Sequence, residues 1–458
     1  MRGFGVWIAG GLIACAPAPR ITTARLSVAQ LPSCELGSGQ QLSLRATGDF
    51  PAQSKGLGGL GKGAEVALDT LPLSTQWLAL EAEQGMAHAG GLVALPGGQD
   101  LDRSVLMLPL GRSCPLGDPL ARAPTGAAVA ALADGSLLIA GGEDENGAAT
   151  TNAVVLPAGS ALVQQVPGGM LLSRADATAT RVDTGVVVVG GGPDGTTFEV
   201  YDAELGRFDR GRSGHLASGP RRAHGAVRLL DGRVLVVGGQ TEVSGEALGT
   251  AELIDPIAGK AEVVESTLNF ARVAPSLLVL DSGIVLVALG TDGASPDAPA
   301  VPNIERFDPR SSRFAPLEAT LPTHERAAVA ALEGDRVAYL GCDSGDAGCQ
   351  LALALPQSGD FDVVALEGDL GPDALAAAGL QDLEQIRLLA LHDGTLLVTG
   401  RKRGPPVARQ AFLIDLSSPA ITAVPDAISR VPDVLLALED GTLTELDALG
   451  VSLGRHDL

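Results

Sequence analysis

Short apolar runs, four to seven residues long, recur along most of the chain, and a glycine turn breaks each pair of them. Runs of that length are strand-sized and fall short of helices. Seven segments share one pattern: strand, Asp-Gly-like turn, strand, and then usually glycine. They are AAVAALADGSLLIAGG (127–142), ATATRVDTGVVVVGGG (177–192), GAVRLLDGRVLVVGG (225–239), SLLVLDSGIVLVALG (276–290), AAVAALEGDRVAYLG (327–341), LLALHDGTLLVTG (388–400) and VLLALEDGTLTEL (434–446). The turn glycines are Gly135, Gly185, Gly232, Gly283, Gly334, Gly394 and Gly441, spaced by 50, 47, 51, 51, 60 and 47 residues. Glycine tolerates the positive φ that tight hairpins need. A third strand ending in aspartate often follows, as in FEVYD to Asp202, AELID to Asp255, IERFD to Asp308 and AFLID to Asp415. Four short strands in about 50 residues make one blade of a β-propeller, whereas a parallel β-helix needs a much shorter period.

The chain therefore reads as all-β, with about seven blades, or six, over 119–458. The sixth repeat is longer by about ten residues, and PDALAAAGLQDLEQ (372–385) reads as a short helix inside it. Residues 34–118 lie outside the repeat; QQLSLRA, STQWLALEAE and SVLMLPL read there as strands of a small, sandwich-like β-domain.

The repeats resemble the kelch family. The third carries the fullest match: Arg221-Arg222-Ala223-His224, Asp231-Gly232-Arg233, Gly238-Gly239 and AELIDP (251–256). The family's paired glycines also stand at 141–142 and 190–192, and shrink to one in repeats four to six. The family's last-strand tryptophan is missing, and its tyrosine survives only as Tyr201.

The start of the chain changes the picture most. Arg2 precedes an apolar run, Phe4 to Ala14, which has the layout of a signal peptide and is too short to span a membrane. Leu12-Ile13-Ala14-Cys15 resembles the bacterial lipobox, which implies cleavage after residue 14 and lipid on Cys15. Residues 15–33 then read as a lipidated tether, with lipid as the only anchor. Ala16, where an aspartate would retain such proteins at the inner membrane, is compatible with the outer membrane. As a whole the chain resembles bacterial kelch-repeat lipoproteins that place a small cap before the propeller.

Export gives the cysteines a meaning. Besides Cys15, four remain: Cys34, Cys114, Cys342 and Cys349. An even number in an oxidising compartment points to two disulfides, from three possible pairings. Cys342 and Cys349 flank a six-residue loop that a disulfide can staple, which leaves Cys34 for Cys114. No CxxC spacing or neighbouring histidine favours zinc.

Composition bounds the rest. With 60 glycines and 29 prolines in 458 residues the chain turns often, yet 45% of it is apolar and can form a core. A net charge of −22 gives it no electrostatic reason to bind nucleic acid or an anionic membrane. Copper propellers of the galactose oxidase type need tyrosines and histidines. Here Tyr201 and Tyr339 are the only tyrosines, Tyr339 reads as core, and His224 and His324 read as hydrogen-bonding residues that open strands. Sialidase-like turns need tryptophan, and only Trp7 and Trp77 occur. No nucleophile elbow, HExxH or Walker loop is present. Glu143-Asp144-Glu145-Asn146-Gly147 faintly resembles a calcium loop but lacks the later glutamate. No cofactor or metal is expected.

Two readings stand: a binding or scaffold module at the cell envelope with a protein or glycan partner, or a propeller enzyme acting at the channel mouth. The candidate face carries Arg174, Arg221, Arg272 and Arg430, each eleven residues before a turn glycine. One reading makes them an anion-holding ring; the other pairs them between blades with strand-ending carboxylates. The loops between second and third strands are acidic in repeats one to five, and the sixth is basic: Arg401, Lys402 and Arg403, with Arg409 behind.

Overall fold

A computed structural model of the protein describes side chains between residues 124 and 423, apart from short loop segments, and backbone strands on both sides of that range. The first six repeats form six four-stranded antiparallel meanders, each ordered from its first strand inside to its fourth outside. The innermost strands are Ala128–Ala131, Thr178–Val182, Gly225–Arg228, Ser276–Val279, Arg326–Leu332 and Leu383–Ala390. Successive innermost strands lie side by side, so the meanders form the blades of a β-propeller. The seventh repeat forms a three-stranded sheet, Val434–Ala437, Thr442–Asp447 and Gly450–Arg455, whose first strand lies against that of blade 1.

The burial pattern explains the sequence pattern. Second strands sit mid-blade with a neighbouring blade on either side, so their central residues are apolar in succession and do not alternate. Val186, Val187, Val188 and Val189 are all buried, as are Val234 to Val237. Val186 and Val188 pack toward blade 1, while Val187 and Val189 pack toward blade 3. Each junction from blade 1/2 to blade 5/6 holds one such cluster. Fourth strands face solvent on one side; Lys260–Val264 buries only Val264.

The paired glycines fasten one blade to the next. Gly141 and Gly142 have φ of +71° and +89°, and a Cβ on Gly141 would lie 2.4 Å from the Arg174 carbonyl of blade 2. Gly142 N–H donates to that same carbonyl at 2.7 Å. Gly238 and Gly239 repeat the arrangement with the Arg272 carbonyl of blade 4. In blade 4 the first of these positions is Leu289, which still takes φ of +56°.

The insertion in repeat six is a helix, Pro372–Ala378, shorter than the sequence predicts. Gly379 in the left-handed conformation stops it, and the first strand of blade 6 begins at Leu383. Before the propeller, seven strands form one sheet in the order Phe50–Gly58, Gln41–Gly48, Thr75–Gln84, Ala87–Ala94, Leu101–Pro109, Thr23–Gln30, Ala64–Ala67. Thr23–Gln30 falls within the expected tether, yet it pairs in parallel with Leu101–Pro109. The segment is therefore part of the sheet, held by a backbone ladder.

Candidate functional site

Arg174, Arg221 and Arg272 lie inside the blades, 0–1% exposed. Each meets a glutamate of its own blade's third strand: Arg174 with Glu199 at 3.0 Å, Arg221 with Glu252 at 3.2 Å, and Arg272 with Glu305 at 3.3 Å. The guanidinium groups also bond carbonyl oxygens. Arg174 Nη1 donates to Gly190 O (2.6 Å) and Thr197 O (3.0 Å), and Arg272 Nη1 donates to Leu289 O (3.1 Å) and Asn303 O (3.0 Å). The glutamates are filled from the other side by backbone amides: Glu199 accepts Leu171 N and Leu172 N, and Glu305 accepts Asn269 N and Phe270 N. Burial pulls the Arg221 and Arg272 guanidinium groups below their ordinary range, and the facing carboxylates oppose that shift. These three arginines are therefore internal braces and do not form a ligand-holding ring. Among the described residues their carboxylate partners are mid-strand glutamates of the same blade, not strand-ending aspartates.

The other blades lack both partners together. The glutamates face Val188, Val236 and Val287 of the second strand. The corresponding third-strand residues are Val154 in blade 1, Ala352 in blade 5 and Phe412 in blade 6. The arginine position is there Pro124, His324 and Leu383 by the register of the first and second strands. In blade 5 the buried Tyr339 stands over Ala352, and its hydroxyl donates to Pro322 O at 2.7 Å. In blade 6 Leu383 and Phe412 share one apolar cluster. A buried charge without its partner is costly, so in these six blades the pair is kept or lost as a unit.

The remaining polar candidates are also tied into the fold. His224 joins blades 2 and 3 through Thr178 Oγ1 at 2.8 Å, and burial, helped by nearby Arg221, pulls its imidazole down to about 3. His324 Nδ1 meets Asp343 Oδ2 at 2.8 Å. Asp343 also accepts Glu325 N, and these bonds hold its carboxyl below the usual range. Cys342 and Cys349, directly paired across their strands, form a disulfide. Asp144 turns its carboxylate inward to accept Asn146 N and Ala148 N, which lowers its pKa. Among the described residues no group of three His, Cys, Asp or Glu side chains is placed to hold a metal ion. Arg401 and Lys402 end the strand Leu396–Lys402. Cys15, Cys34, Cys114, Arg403 and Arg430 lie outside the described residues.

An open site exists on the opposite face, which carries the turns between strands one and two and between strands three and four. Some neighbouring turns there are bolted together. Arg228 Nη2 meets Asp183 Oδ1 at 2.6 Å between blades 3 and 2. Gly334 N donates to Asp281 Oδ2 (2.7 Å) and Ser282 N to Asp335 Oδ1 (2.9 Å) between blades 5 and 4. Two junctions instead leave clefts. The one between blades 3 and 4, about 550 Å³, has Leu230, Ile284 and Pro309 on its walls with Asp231, Asp308 and Arg310. The other, about 510 Å³, spans blades 4, 5 and 6 and has Val279, Leu332, Leu391 and Leu416 with Asp281, Glu333 and Arg336. The sequence reading placed the candidate face on the other side and did not include these residues. The signal available to it was Leu230, an aliphatic residue directly before a turn aspartate.

No family model matches the sequence, and no curated protein matches it. Among solved structures the chain is similar to that of YjhT, with 13% identity over 65% of this chain and 97% of that one, at a TM-score of 0.42.

Proposed function

We propose that the protein is an exported, lipid-anchored member of the kelch-propeller type, held at the outer membrane through Cys15, and that its propeller is a binding module for an envelope partner. One observation carries the binding reading. Arg174, Arg221, Arg272 and their glutamates, with His224 and His324, are tied into the blades, while the turn face holds two open, partly apolar clefts. Such clefts with a few polar groups are the usual form of a recognition site. The anchor rests on the run Phe4 to Ala14 ending at Cys15, and the kelch assignment rests on the diglycines and the third repeat.

The test is labelling in bacteria with a clickable fatty acid, followed by membrane fractionation. Wild type takes up label and sediments with outer membranes, and Cys15→Ser does neither. Label retained by Cys15→Ser overturns the anchor. Site-specific photo-cross-linking from the turn face tests the binding role; no adduct from any turn-face position in intact cells overturns it.

A further inference from the structure

The turn face combines three independent features. First, the four most exposed large aliphatic side chains among the described residues all stand on it: Leu230 (70%), Leu162 (68%), Ile257 (64%) and Leu205 (54%). They occupy turns between strands one and two or three and four, where nothing in the fold requires an apolar residue. They stand in turns of blades 1, 2 and 3, and Leu230 is the one that also walls a cleft. Second, the two clefts open on the same face, and Asp281, which bolts the turns of blades 4 and 5 together, also lines the second of them. Third, the cleft rims hold four carboxylates, Asp231, Asp308, Asp281 and Glu333, against the guanidinium groups of Arg310 and Arg336; Arg233 is paired with Asp231 at 2.7 Å, and with it counted the rims keep a net negative charge. The chain as a whole carries −22. A cationic partner is therefore drawn to this face and an anionic one repelled.

We propose that this face docks a basic segment of a partner protein that also carries aliphatic side chains, one seated in each cleft with lysine or arginine against the rim carboxylates. The proposal rests on the binding-module reading and adds the face and the chemistry of the partner. Apolar floors give the segment its grip, and the carboxylates give it sign and approach rate. A neutral glycan gains nothing from the net negative charge of the rims or from the exposed aliphatic side chains.

The probe is a fluorescein-labelled heptapeptide alternating lysine and leucine, titrated with the full chain and read by fluorescence anisotropy. Comparison peptides alternate lysine with glycine and glutamate with leucine. The lysine–leucine peptide is expected to bind, and to bind at least tenfold more tightly than either comparison. Leu230→Arg and Glu333→Lys should each weaken it about tenfold, whereas Glu145→Lys on the loop face should leave it unchanged. All three positions are exposed, so the melting temperature of each variant should stay at the wild-type value. Equal binding of the lysine–glycine peptide would show charge attraction alone and overturn the seated side chains. Equal loss in Glu145→Lys, or none in the turn-face variants, overturns the face. Absence of binding to all three peptides overturns the basic partner yet leaves the binding-module reading to stand on cross-linking.

Discussion

Transplanting the core of blade 6 into blade 4 tests the buried pairs. Arg272→Leu removes a guanidinium that bonds the Phe270, Leu289 and Asn303 carbonyls and faces Glu305. It leaves a carboxylate with no exposed surface and no counter-charge. Breaking such a pair costs about 3–5 kcal/mol. Glu305→Phe strands the guanidinium in the same way and adds bulk, so its cost is at least as large. The double variant removes both charges and recreates the pairing that Leu383 and Phe412 make in blade 6. Three carbonyls, two backbone amides and the side-chain amide of the exposed Asn269 still lose partners; at roughly 1 kcal/mol for each of the five backbone bonds, a residual cost of about 5 kcal/mol remains. The single costs sum to at least about 6 kcal/mol, so the cycle should show a coupling of about 1 kcal/mol or more. Equilibrium urea unfolding at constant slope reads these values. Additive singles, or an Arg272→Leu that unfolds like wild type, would refute the claim that the arginines are braces.

Other outcomes follow from the same geometry. His224 titrates near 3 when folded and near 6.5 when unfolded, so its contribution is complete above pH 6.5 and declines by about 1.4 kcal/mol per unit as pH falls toward 3. Thermal melts of His224→Gln across that window should be flatter than wild type, and parallel curves would contradict the assignment. Reducing Cys342–Cys349 should lower stability by about 2–3 kcal/mol on the chain-entropy model for a seven-residue separation, seen as a reductant-dependent fall in melting temperature absent from Cys342→Ala. Gly239→Ala should be among the most damaging single-methyl changes, because its Cβ would lie 2.4 Å from Arg222 O at φ of +93°; a melting temperature within a degree or two of wild type would disprove that contact.

The blades were legible because the period is written in turn glycines and aliphatic second strands, both of which the fold needs at every repeat. The disulfide between Cys342 and Cys349 was legible from its short loop. The arginines were visible as a column, but their depth was not. Position along the chain shows that Arg174 precedes a strand, whereas only packing shows that it turns inward to Glu199. The glutamates of FEVYD, AELID and IERFD occur in the blades that carry the arginines, so comparing repeats position by position would have found the pairs. The clefts could not be read at all, because they depend on which neighbouring turns hydrogen-bond across a junction. Likewise Thr23–Gln30 resembles a linker by composition and becomes a strand through pairing with Leu101–Pro109.

The most direct test of the account places a photo-cross-linking amino acid at Leu230, Ile257 or Glu145 in turn, with irradiation of intact cells. The account predicts a common adduct from Leu230 and Ile257, competed by the lysine–leucine peptide, and none from Glu145. An adduct from Glu145 alone would contradict it.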